Sequence, residues 1–125
     1  MTKKLMTLLC VLAGVVSLCG CQKDVMIRIA NRGNIELQNV LVKFPSQTEE
    51  YGNIPPSQAT TYRKVTKAYG YAYVQAVLGG QEAVLQPEDY VGEHLLSGGN
   101  YTYVLKNNPK AGDKYDRLRL ELLKE

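Results

Sequence analysis

From residue 24 onward the chain alternates apolar and polar positions with a period of two, and clusters of turn residues break the runs. Val25, Ile27 and Ile29 alternate with Met26, Arg28 and Ala30, and the run stops at Asn31, Arg32, Gly33 and Asn34. Val40, Val42 and Phe44 alternate with Leu41 and Lys43 ahead of Pro45 and Ser46. Side chains on a strand point to opposite faces in turn, so both runs predict half-buried strands. Residues 51–56 are rich in turn formers, and Pro55 and Pro56 lack ladder donors, which predicts an edge or a loop leading into a strand over 59–65.

The longest strand predicted covers 69–78. One face carries Gly70, Ala72, Val74, Ala76 and Leu78, the other Tyr69, Tyr71, Tyr73, Gln75 and Val77. Two faces so poor in charge suit a central strand. Gly79 and Gly80 supply the positive φ angles of a tight hairpin into 81–86. Residues 87–96 read either as a loop crossing between sheets or as a helical turn begun by Pro87, with Gly92 weakening any longer helix. A strand over 101–105 and a polar loop over 107–113 follow. Leu118, Leu120 and Leu122 then alternate with Arg117, Arg119 and Glu121; a helix would scatter those leucines around its axis, so this is a strand. About seven short strands with regular turns and no repeated unit predict an all-β fold, an antiparallel β-sandwich, immunoglobulin-like in the broad sense, with a small β-barrel as the competing closure.

The amino terminus follows another pattern. Lys3 and Lys4 precede a mostly apolar stretch of fourteen residues, 5–18, and small residues follow. A membrane-spanning helix needs roughly 20 apolar positions, so the segment reads as a secretory signal. Leu18, Cys19, Gly20 and Cys21 resemble the bacterial lipobox, with Cys19 where alanine or serine is commoner. The resemblance implies that residues 1–20 are removed, that the Cys21 thiol takes a diacylglycerol, and that its new amino group is acylated. Residues 21–24 then form a short tether, and 25–125 the sandwich. At about 0.8 kcal/mol per buried methylene, two or three chains make such attachment effectively permanent. Gln22 is not the aspartate that resembles an inner-membrane retention signal, which implies the outer membrane. Gln22, Lys23 and Asp24 resemble the export tag of surface lipoproteins in Bacteroidetes-type bacteria, while Val25 stands where a second acid is usual. The periplasmic face and the cell surface both stay open.

Composition sharpens this. Lys3 and Lys4 belong to the signal, so thirteen basic side chains face twelve acidic ones afterwards. A surface so balanced has no electrostatic drive toward nucleic acid. All three cysteines fall at or before position 21, which leaves the domain no thiol for a disulfide, a redox step or metal binding. About 105 residues are enough for one domain held by packing alone. Residues 53–57, 69–73, 87–92 and 99–103 are similar to landmarks of small uncharacterised lipoproteins from Bacteroidetes-type bacteria, which implies the same address and a β-sandwich.

Nine tyrosines and no tryptophan are the compositional oddity. Tyr69, Tyr71 and Tyr73 point the same way along one predicted strand. With Tyr101 and Tyr103 they are the candidate binding residues, either as an exposed platform that stacks on sugars or grips a protein, or as rings that pack cross-strand against Tyr101 and Tyr103. Glu88, Asp89, Glu93 and His94 are the only cluster with metal-capable side chains, and they match neither a zinc set nor a calcium loop, so no metal and no cofactor are expected. His94 is the single imidazole, and no nucleophile motif stands near it. The sequon at Asn100, Tyr101 and Thr102 is coincidental in a bacterial lipoprotein. The expectation is a non-catalytic outer-membrane lipoprotein whose sandwich binds an envelope or extracellular protein or glycan. A structural accessory subunit of an outer-membrane assembly comes second, and a hydrolase using residues 88–94 third.

Overall fold

The computed structural model describes residues 24–87 and 94–125. The segment read as a signal, Cys21 and most of the acidic cluster (Glu88, Asp89 and Glu93) lie outside the described residues. Within them the chain forms β1 (Val25–Asn31), β2 (Leu37–Lys43), β3 (Thr48–Ile54), β4 (Arg63–Val65), β5 (Tyr73–Leu78), β6 (Gln81–Leu85), β7 (Gly99–Asn107) and β8 (Leu118–Lys124), with a 3-10 turn at Lys114–Asp116. Two four-stranded sheets, ordered β4-β1-β7-β8 and β3-β2-β5-β6, pack face to face without closing into a barrel. The fold is a β-sandwich. Every pairing is antiparallel except β1 with β7, which run parallel.

Alternation decides what is buried. Ile27 and Ile29 of β1, Val40 and Val42 of β2, Val74 and Ala76 of β5, and Tyr103 and Leu105 of β7 meet between the sheets. Burying an aliphatic side chain of this size contributes about 1.5–3 kcal/mol. The one fully buried asparagine, Asn31, is satisfied: its Nδ2 donates to the carbonyls of Ile35 and Ile54 at 2.9 Å each, and its Oδ1 accepts from Gly33 N.

One element settles an alternative left by the periodicity, and two differ from it. Residues 51–56 resolve to the edge alternative: β3 covers Thr48–Ile54 with Tyr51 and Ile54 buried, and the prolines stand just past its end. Gly52 and Asn39 take positive φ where the β2–β3 register shifts, a bulge that the spacing conceals. The strand expected over 59–65 shrinks to Arg63–Val65. Upstream of it Ile29 N donates to the Thr60 side-chain hydroxyl, so a side chain replaces the backbone acceptor and the ladder breaks. Lastly β5 starts at Tyr73, not at 69. Its last ladder pair is Lys43 with Tyr73, and beyond it β2 folds back, Phe44 N bonding Gln47 O, so 69–72 have no strand to pair with.

Candidate functional site

The shortened β5 sets the geometry of the tyrosines. Tyr73 is on the strand and points away from the core, while Tyr69 and Tyr71 stand on the connection from β4 to β5. The Tyr69 and Tyr71 rings stack at 6.2 Å between centroids, 16° from parallel. Lys43 Nζ lies 4.7 Å from the Tyr73 ring centroid, a cation–π contact that follows from their pairing across the ladder. These four residues, with Phe44, Pro45, Ala72 and Pro87, line an open cleft of about 270 Å³. Its lining residues are four aromatics, two prolines, Ala72 and the single cation Lys43.

Tyr101 and Tyr103 are not part of that surface. They are 3% and 0% exposed. Ile27 and Ile29 pair with them across the parallel ladder and face the core, so both tyrosines turn inward. Their hydroxyls nevertheless reach loops: Tyr101 donates to Ser97 O at 2.8 Å, and Tyr103 to Tyr69 O at 2.5 Å. Phe44 stacks on Tyr103 at 6.0 Å, so the floor of the cleft rests on the ring whose hydroxyl holds Tyr69 in place. Burial pushes the Tyr103 phenol well above its ordinary range, with the nearby Tyr51 adding to the effect, and it stays a protonated donor.

Lys43, Pro45 and Pro87 were not singled out from the sequence. Only the register that puts Lys43 opposite Tyr73 brings them together, and a lone lysine or proline in a strand pattern carries no such signal. On the other sheet a polar cluster is fully engaged. Arg28 donates to Thr102 at 2.9 Å and to Glu125 at 2.9 Å while lying 4.9 Å from the Tyr62 ring centroid, and Thr102 donates to Glu125 at 2.7 Å. Hydrogen bonds from Thr102 and Arg28 hold the Glu125 carboxyl below its ordinary range. The cluster fastens the carboxyl end of the chain to β1 and β7. His94 is exposed, and no group of three metal-capable side chains occurs among the described residues.

The sandwich edges differ in how they are protected. At one side Gln47 bonds both Lys64 O and Thr66 N, and Glu49 pairs with Arg63 at 3.1 Å, tying β3 to β4 across the two sheets. At the other, Arg117 donates to Glu82 O at 2.7 Å beside the 3-10 turn, which covers β6. Comparison with protein-family models and with curated proteins found no match for this chain.

Proposed function

We propose that this protein is a non-catalytic lipoprotein, anchored through Cys21 to the outer membrane, whose β-sandwich binds an envelope or extracellular protein or glycan at the tyrosine cleft. The observation that carries the reading is the gathering of Tyr69, Tyr71, Tyr73 and two prolines around one open cleft at the end of a sheet. Tyrosine offers a broad apolar face and a polar tip at low entropic cost, which serves both sugar stacking and protein contact. The signal-like amino terminus, the lipobox resemblance and a domain without cysteine support the address.

The test is retention of an envelope partner by the full chain in detergent. Tyr71→Ala is expected to weaken retention about tenfold or more, the cost of a central aromatic contact, with native circular dichroism retained. A variant that retains the partner as well as the parent refutes the cleft as the contact. Competition by soluble polysaccharide separates a glycan from a protein partner.

One observation favours the second reading, an accessory subunit of an outer-membrane assembly. Strand β8 is a seven-residue edge, whereas β4 has three residues and β3 is bulged. The bonds Asn108 N to Arg117 O and Glu125 N to Asn100 O fix the phase of the β7–β8 ladder. Leu118, Leu120, Leu122 and Lys124 therefore turn their backbone groups toward the open side, where a partner strand can add. In-cell cross-linking from β8 to a stoichiometric membrane protein supports this reading, and its absence from intact cells counts against it.

A further inference from the structure

We infer that the tyrosine end of the sandwich rests on the phospholipid headgroup layer of the membrane that carries the lipidated Cys21; this builds on the anchoring proposed above. The argument is one of reach and direction. Strand β1 begins at Val25, and only three residue steps separate Cys21 from Asp24. At no more than about 3.6 Å per residue the tether spans about 11 Å, less than half the roughly 24 Å length of a seven-residue strand. The domain has no slack to turn over, so the end at which β1 starts is the end that faces the bilayer.

The ladders identify what else is at that end. Val25 pairs with Val65 and Gly99, which brings in the connections that follow β4 and precede β7. Asp24 O accepts from Gly99 N at 2.9 Å, and Leu96 N donates to Ala68 O at 2.8 Å, one residue from Tyr69. Entry point and cleft are joined by consecutive contacts. The cleft at that end is lined by Tyr69, Tyr71 and Pro45, and Leu95, 50% exposed, precedes the Leu96 that bonds Ala68 O. Tyrosines with an exposed leucine are the composition that settles at the headgroup level of a bilayer, ring in the apolar boundary and hydroxyl in water. The partner of the cleft is thereby restricted to one standing in or on the same membrane.

The chain has no tryptophan, so a single introduced indole reports its own surroundings. Full chains carrying Tyr71→Trp, Leu95→Trp or Lys110→Trp are produced in a bacterial host, checked by mass for acylation of Cys21, and reconstituted in phosphatidylethanolamine–phosphatidylglycerol vesicles. Lys110 lies in the β7–β8 connection at the opposite end. Brominated lipid is expected to quench the indoles at 71 and 95 at least about twofold more than the indole at 110. Acylated chains in which all three indoles are quenched alike, or none is, overturn the docking while leaving the anchor intact. Chains without acyl groups overturn the anchor itself, and the docking with it. Two reporters at the tyrosine end, each checked for native circular dichroism, guard against one perturbed variant.

Discussion

Tyr103→Phe isolates the device that positions the cleft. The substitution keeps the ring, its burial and its stacking on Phe44, and removes only the hydroxyl that donates to Tyr69 O. A typical intramolecular hydrogen bond contributes about 0.5–1.5 kcal/mol net, and an acceptor left dry adds about 1–3 kcal/mol more. Tyr69 is half-buried, so water replaces the donor in part, and the loss expected is about 1–2 kcal/mol. For a domain of this size that lowers the melting temperature by roughly 4–15 °C in thermal unfolding followed by circular dichroism. The same variant should speed amide exchange in residues 69–72 and weaken partner retention, although Tyr103 itself is wholly buried. A melting temperature equal to that of the parent, with unchanged exchange in 69–72, refutes the claim that this bond holds the cleft.

One further outcome concerns close packing at a turn, and another two buried phenols. Gly33→Ala drives a Cβ into Asn107 Oδ1 and sets it 3.1 Å from the Asn107 backbone nitrogen, so the Asn107 carboxamide must leave its bond to Asn34 N; chemical denaturation should show a loss of about 1–3 kcal/mol, and parent-like stability contradicts the packing. Burial raises the phenols of Tyr51 and Tyr103 far above their ordinary value, so above pH about 10 the unfolded chain releases protons that the folded one keeps, and stability falls by about 1.4 kcal/mol per pH unit for each tyrosine. Below that pH their contribution is complete; a Tyr51→Phe/Tyr103→Phe chain should show a flatter alkaline limb in denaturation curves, and an unchanged limb refutes the assignment.

The sandwich was legible because alternation is a direct record of burial: in β5 Val74, Ala76 and Leu78 face the core and Tyr73, Gln75 and Val77 do not. Strand ends were less legible, since an end depends on the partner. Tyr69–Tyr71 continues the period of β5 without its ladder because Pro45, 24 residues earlier, follows the last pair that β2 can make. The bulge at Asn39 and Gly52 was hidden for the same reason. The tyrosines were half legible. Tyr101 and Tyr103 share a face with Leu105, but Thr102 and Val104 on the opposite face are buried as well, so alternation along β7 does not mark which face meets the other sheet. What no periodicity conveys is where a buried hydroxyl ends.

That last point gives the tyrosine content a physical account. Three of the nine, Tyr51, Tyr101 and Tyr103, are core residues, and each donates to a backbone carbonyl of another segment: Ile27, Ser97 and Tyr69. A sandwich without disulfides must fix its connections by packing and hydrogen bonds alone. Phenylalanine would fill the same volume and leave those carbonyls without these donors, and serine would satisfy a carbonyl without filling the core. Tyrosine does both, and its tip reaches from the interior to a connection at the rim. The bonds from Tyr101 and Tyr103 fall on the two neighbouring connections at the end where the chain enters, 66–72 and 94–98. The buried tyrosines thus hold rigid the backbone that presents the surface ones. The Tyr69 and Tyr71 rings that stack in this connection stand on backbone tied to the core by the Tyr103 hydroxyl.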